Sequence, residues 1–437
     1  MTTDGSEVPR SPFRPRRRVD LAVAGILLLH FALAQILSFV MLLGYAPDEP
    51  RHFAYVRWLG EHGTIPPADE NLSGGAHSLH PPLYYALMTP VYLAFRGLGE
   101  DAAMRAMRCI APLFGVAALW LLCPILRRAA GRSRGLFLFM LALLAVWPNL
   151  CLCVAMVNND AASVLMAAVL ANVVLVRRWD TRPVSGLIWG AVLGLASLAK
   201  FSNFIAGAPL VTVALVLVHG KGWWRSDGFW RGGLFAAGGC LAVCGWWWAR
   251  NMLVFGALNP YPSVPTLPPG LTPLDAILYG YAWPLLLRAV NGLWTSTWPV
   301  IDWVPDALVL PIATILRGLT ALGLLGLLAG LWRFKTGVRL DRERLAAIAV
   351  PAAGYLGMLA ALVHVATFGH MGTYRNGRYL MPFVAGLVIL LALSWRQVIP
   401  PRLRMAGGVL VILFLLFFNG AAWYHLLTHW NPLVSGG

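Results

Sequence analysis

LYYALMTPVYLAFRGL, residues 83–98, is the stretch whose reading decides the fold. It is apolar but only 16 residues long, with Pro90 inside. A helix needs about 20 apolar residues to cross a bilayer core. If 83–98 crosses, every later loop changes sides; if it lies along the membrane, none does. Charge decides between the two. With 83–98 on one side, residues 1–19, 127–134, 177–182, 221–231, 333–344 and 396–404 share a side, and they hold 23 of the chain's 34 Lys and Arg. That is the positive-inside pattern. A crossing would put RRAAGRSR at 127–134 and the later basic loops opposite the basic N-terminal tail. We therefore read 83–98 as an interfacial or re-entrant helix, the N-terminus as cytoplasmic and the first long loop as outside.

Composition agrees with a chain built into a bilayer. Of 437 residues, 59% are hydrophobic and 12% charged, with mean hydropathy +0.68. A soluble domain is about 25% charged and 45–50% apolar. The expected fold is an all-α polytopic membrane protein of about 11 transmembrane helices, at 20–44, 105–126, 135–154, 161–176, 185–199, 203–219, 231–248, 308–331, 345–366, 379–395 and 405–424. A net charge of +16 would point to nucleic acid in a soluble protein. Here it reflects cytoplasmic loops meeting anionic lipid, and no nucleic-acid partner is expected. Residues 1–19 read as a disordered basic tail, 20–424 as a single transmembrane domain and 425–437 as a short outer tail. The first apolar run exceeds the 7–15 residues of a signal-peptide core, so it reads as a retained helix. The six cysteines (109, 123, 151, 153, 240 and 244) sit in or beside apolar segments and read as buried thiols.

This topology leaves two long outer loops, 45–104 and 249–307, with short outer tips at 155–160, 200–202 and 367–378. The second loop is rich in Pro, Trp and Tyr, which suits an interface. The first begins YAPDEPRHFAYVRWLGEHG at 45–63 and ends AHSLHPPLYY at 76–85. Residues 45–85 hold five of the eighteen carboxylates and four of the ten histidines, His52, His62, His77 and His80. Carboxylates gather outside and basic charge inside, so the chemistry is expected on the outer face.

Asp48 and Glu49 head the candidates. A carboxylate at this interface can bind a divalent cation through oxygen or take a proton from an attacking hydroxyl. The plainer alternative is that they begin a helix, with Pro50 in its first turn. His80-Pro81-Pro82-Leu83-Tyr84-Tyr85 follows. Its prolines fix an extended entry, and His80 and Tyr84 stand beside an acceptor or a lipid phosphate, or else only in an aromatic belt. Lys200, Arg250, Arg375 and Arg378 lie at outer tips against the positive-inside bias. An anionic ligand explains them, since Arg grips phosphate bidentately and Lys acts as a point charge; headgroup contact or a loop salt bridge explains them too. Asp160, in VNND at 157–160, is a helix cap or a second carboxylate near Asp48.

Together these residues resemble the GT-C superfamily of integral membrane glycosyltransferases, the class of the protein mannosyltransferases and lipid A aminoarabinose transferases. The likeness spans most of the chain as order and topology, and rests on short pieces: Asp48-Glu49 after the first helix, HPPLYY at 80–85, VNND at 157–160, LAK at 198–200, WARN at 248–251 and GRYLMP at 377–382. The nearest branch is a prokaryotic one with a PDEP-type loop. The resemblance implies a polyprenyl-phosphate-linked sugar donor, transfer on the extracytoplasmic face of the cell membrane, and a lipid, glycan or protein acceptor. It implies Asp48 as general base with Glu49 its neighbour or ligand. Asp48 and Asp160 become candidates to hold a divalent cation, Mg or Mn. Lys200, Arg250, Arg375 and Arg378 become candidates for the lipid phosphate. Residues after 424 do not resemble the periplasmic domain that some members use for acceptor recognition, which leaves the acceptor open.

Two rival classes stand beside this one. A sugar or lipid transporter would place polar groups at the bilayer midplane, and Arg317, near the middle of 308–331, is the exception to otherwise uncharged helix centres. A structural subunit would present a partner on its aromatic outer loops.

Overall fold

The computed structural model describes residues 20–69, 77–177, 179–259, 272–280, 282–298, 306–335, 340–369 and 376–429. The described elements are helices: α1 Leu21–Val40, α2 Glu49–His62, α3 Leu83–Phe95, α4 Glu100–Ala130, α5 Arg134–Ala145, α6 Pro148–Cys153, α7 Asp160–Asn172 and α8 Pro183–Ala199. Then come α9 Ser202–His219, α10 Asp227–Phe255, α11 Pro273–Leu278, α12 Ala282–Thr297, α13 Asp306–Lys335, α14 Arg342–His364, α15 Val384–Val398 and α16 Arg404–His429. Among the described residues, nine helices are long and apolar enough to cross a bilayer. Two of the expected crossings are not among the nine. The segment 185–199 is α8, 17 residues long, just short of that length. The segment 135–154 is two helices rather than one.

The reason for the split is Pro148. It cannot continue α5, and it restarts the chain as α6 after a corner at Val146-Trp147. A break among apolar helices frees backbone carbonyls that must find donors. Here they do: His30 Nδ1 donates to Ala145 O at 2.8 Å and Asn419 Nδ2 to Val146 O at 3.0 Å. Trp147, fully buried, donates its indole N–H to Thr297 O at 2.8 Å.

Small residues bring α8 and α10 close together. Gly186, Gly190 and Gly194 recur every four residues on α8 and face the backbone of Gly232, Ala236 and Cys240 on α10. A Cβ at Gly190 would collide with Ala236 O. This is the small-xxx-small packing of apolar helices, where contact depends on close backbone approach.

The basic loops meet at one end of the bundle. Asp20 pairs with Arg134 at 3.0 Å, Arg344 Nε donates to Ala129 O, and Arg342 Nε donates to Leu217 O. At the other end of α1, Arg108 of α4 donates to Ser38 O, Met41 O and Leu42 O. The end of α1 and the first third of α4 are therefore tied together, and the chain between them leaves and returns at the same end. Within it, α2 and α3 lie side by side, with Tyr92 Oη donating to Glu61 at 2.9 Å and Arg57 pairing with Glu100 at 2.7 Å. At 13 residues α3 spans about 20 Å, short of the ~30 Å hydrocarbon core.

Candidate active site

Asp48 and Glu49 are neighbours with opposite surroundings. Glu49 opens α2 and is fully buried. Arg108 Nε donates to Glu49 Oε1 at 2.7 Å, and its Nη2 donates to Oε2. The backbone N–H groups of Gly44 and Val157 each donate to the same carboxylate at 2.9 Å. With four donors its acceptor sites are taken, and it presents nothing to a substrate. Its work is to hold α1, α2, α4 and the turn before α7 in one place.

Asp48 has the backbone of a functional position. Its φ of 62° and ψ of 5° make it the only non-glycine residue with positive φ among those described. Strain of that kind is kept where the surroundings enforce it and clusters at working sites. The plain capping alternative does not hold: the side chain makes no cap hydrogen bond. Instead Arg378 Nη2 donates to Asp48 Oδ2 at 2.6 Å. Asp48 remains 46% exposed while Arg378 is 8% exposed, so the carboxylate is held from behind and open in front. Burial pushes its carboxyl up, but the hydrogen bond and charge of Arg378, with His77 and Lys200, outweigh it and leave it below the usual carboxylate range.

Two more candidates complete the cluster. Asp160, in the first turn of α7, is buried and ion-paired with Lys200, at the end of α8. Arg378 Nε lies 3.9 Å from Asp160 Oδ2. The ring of Tyr379 packs under both cations, 4.6 Å from Lys200 Nζ and 5.4 Å from Arg378. Four segments, from residue 48 to residue 378, thus place two carboxylates and two cations together. Arg378 is fixed by its neighbours: Gly377 N–H donates to Ser296 Oγ at 2.6 Å, and Arg378 N–H donates to Asn376 Oδ1 at 3.0 Å. A Cβ at Gly377 would strike the Thr297 backbone, which makes glycine necessary there.

Asp48 and Asp160 were the expected pair for a divalent cation. Each already faces a protein cation, Arg378 and Lys200 respectively, so a shared Mg or Mn would have to compete with both. The other candidates are spread out. Tyr84 is fully buried, its ring edge-on to Tyr85 at 5.4 Å. His80 is buried with Asn159 Nδ2 at 3.3 Å from its Nδ1. Arg250 is half-buried over the ring of Trp247, 4.7 Å away, and donates to Ser78 O at 3.4 Å, so it borders the 77–82 segment and not the carboxylates. Arg375 lies outside the described residues. Arg317, the transporter candidate, is exposed and stacks over Trp294 at 5.7 Å.

Comparison with known proteins sets this geometry in a family context. Residues 79–248 match the profile of the dolichyl-phosphate-mannose-protein mannosyltransferase family. The structure aligns with ArnT from Cupriavidus metallidurans, solved with undecaprenyl phosphate, at 16% identity and TM-score 0.51, over 90% of this chain and 62% of that one. It aligns with the Archaeoglobus fulgidus oligosaccharyltransferase, solved with Zn and sulfate, at 15% identity and TM-score 0.53, over 93% and 53%.

The chain has the GT-C fold. The same archaeal enzyme, AglB, solved with an inhibitory peptide and a dolichol-phosphate, aligns at 13% identity and TM-score 0.51, over 93% of this chain and 55% of that one. The chain spans less than two thirds of the length of these GT-C relatives. No curated protein matches it significantly by sequence.

One grouping within this chain escapes a reading of the sequence. His52, His77 and His80 bring ring nitrogens within 4.8 Å of one another. Only the spacing HSLH before Pro81 hinted at it, and His52 lies 25 residues earlier on another element. Arg108, which seals Glu49, was missed too: it sits inside an apolar helix with nothing local to mark it.

Proposed function

We propose that this chain is a membrane glycosyltransferase that moves a sugar from a polyprenyl-phosphate-linked donor to an acceptor hydroxyl on the extracytoplasmic face of the cell membrane. The observation that carries the reading is the exposed Asp48 carboxylate held by Arg378 beside the buried Asp160–Lys200 pair. In a single displacement, the acceptor oxygen bonds to the anomeric carbon, and the bond from that carbon to the phosphate oxygen breaks. The polyprenyl phosphate leaves with the electron pair, and Asp48 takes the acceptor's proton. A carboxylate base contributes on the order of 10²–10⁴-fold. The Arg378 contact lowers its pKa and so weakens it as a base in the resting site.

Arg378 and Lys200 are the groups assigned to the charge that develops on the leaving phosphate, where fixed cations act before the reaction begins. An entering phosphate competes with Asp48 for Arg378, which frees the carboxylate as the donor binds. Arg250 and Arg375 remain candidates for the lipid phosphate farther from the carbon that reacts. Glu49 and Tyr84 are assigned to holding the site, without substrate contact. The profile match over 79–248 and the likeness to proteins solved with undecaprenyl phosphate and dolichol-phosphate support this donor class.

The test is mass spectrometry of lipid-linked sugars and surface glycans in cells with and without the gene. The proposal expects a lipid-linked sugar to accumulate and one glycan modification to vanish when the gene is lost. Unchanged pools of both would overturn it.

A further inference from the structure

We propose that His52, His77 and His80 form a binding site for a single transition-metal dication of the zinc class, beside Asp48 and separate from the carboxylate pair. The site joins two elements. His52 lies on α2, one turn after the sealed Glu49. His77 and His80 lie on the segment entering α3, in a turn closed by His80 N–H donating to His77 O at 3.0 Å. Pro81 and Pro82 stiffen the chain directly after it. The three rings pack as a triangle, with centroids 5.1, 5.1 and 4.8 Å apart.

Distances favour one ion at the centre. Three nitrogens within 4.8 Å of one another have a common centre no more than about 2.8 Å from each. A zinc–imidazole bond is about 2.0–2.1 Å, so side-chain movements of under ~1 Å close the site. Three imidazoles suit zinc and its neighbours, while Mg and Mn prefer oxygen. The chemistry therefore points away from the Mg or Mn expected from the carboxylates. Three neutral ligands leave the ion its full charge and a fourth position for water or an anionic oxygen.

Outer partners are already in place. Ligating histidines usually bind a second group through their other ring nitrogen, which fixes ring orientation and tautomer. His52 Nδ1 lies 2.7 Å from Tyr85 Oη, and Tyr85 stacks on Tyr55 at 3.8 Å. His80 Nδ1 faces the Asn159 amide. Turning that amide over brings Oδ1, buried and without a hydrogen-bond partner, against an Nδ1–H donor.

Metal content of the purified full chain in detergent tests this directly. The protein is stripped with a chelator, exposed to Zn²⁺ in excess Mg²⁺, desalted and analysed by mass spectrometry of the elements. Wild type is expected to retain about one zinc per chain, and Asp48→Asn to retain it equally. His52→Ala and His77→Ala are expected to lose it, and Tyr85→Phe to weaken it by on the order of 10–100-fold. Zinc absorption spectroscopy of the wild type reads the ligands without any variant, and should report imidazole nitrogens. A wild type without zinc, zinc kept in both histidine variants, zinc that depends on Asp48 alone, or a spectrum of oxygen or sulfur ligands would each overturn the proposal. None of these readouts requires glycosyl transfer, so the site stands or falls apart from that reading.

Discussion

Two carboxylate–arginine pairs grow from adjacent residues, and only one of them is sealed. Glu49 and Arg108 are 0% and 1% exposed, and the carboxylate is saturated by side-chain and backbone donors. Asp48 and Arg378 are 46% and 8% exposed, with one hydrogen bond between them. The same chemical pairing therefore serves two ends. In the sealed pair every donor and acceptor is spent on holding four segments together. In the open pair a cation of the frame presents a carboxylate whose face remains free. The strained backbone of Asp48 marks the divide, because it turns one side chain outward while its neighbour points in.

Breaking the sealed pair should have the largest effect. Arg108→Ala leaves Glu49 buried without its cation, and losing one partner of a buried pair costs about 3–5 kcal/mol. Thermal unfolding of the purified variant in detergent should start well below wild type. An unchanged melting temperature would break the comparison on this side.

Removing the cation of the open pair should act on rate first. Arg378→Ala should lower transfer by on the order of 10²–10³-fold, the scale of losing one fixed charge-stabilising donor. It should also move the acid limb of the pH–rate profile. In wild type the depressed Asp48 pKa keeps the base ionised until the pH falls below the usual carboxylate range. Without Arg378, burial is opposed only by the charges of His77 and Lys200, so the carboxyl rises and activity should fall at a higher pH. The sign is the same for stability: the Asp48–Arg378 contribution is present above the ordinary carboxylate pKa and is lost as pH drops through the lowered one. A limb that does not move would separate Arg378 from Asp48.

A smaller effect should come from the frame that carries Lys200. Gly190→Val forces α8 away from α10, and overpacking of this kind costs about 1–3 kcal/mol. Lys200 ends α8, so transfer should weaken as the helix shifts, while Glu49–Arg108, on other helices, stays intact. Normal stability and rate would mean that the helix contact does not set the site.

The sequence carried the coarse architecture well, for a physical reason. Apolar length and the one-sided placement of Lys and Arg are bulk properties of a chain in a bilayer, and they are legible residue by residue. Thus α1, α4, α10 and α16 all overlie expected crossings, and 83–98 was read as too short to be one. The corner at Val146-Trp147 was missed because the surrounding run stays apolar on both sides of Pro148. Asp48 stood out by its position after the first helix, and Asp160, Lys200 and Arg378 by polarity at helix ends. What could not be read was which of two adjacent acids is consumed by the frame. That depends on Arg108, 59 residues away in sequence. The histidines of 45–85 stood out by number, but which three of them meet was not legible for the same reason: they lie on different elements, and only packing brings them together.

The division between the two acids is most directly tested by measuring transfer rate and melting temperature together on Asp48→Asn and Glu49→Gln. Asp48→Asn should lose about 10²–10⁴-fold in rate with its melting temperature near wild type. Glu49→Gln should lose stability first, and the fraction that remains folded should still transfer sugar. A fully active Asp48→Asn protein, or a Glu49→Gln protein that is stable but inactive, would contradict the account.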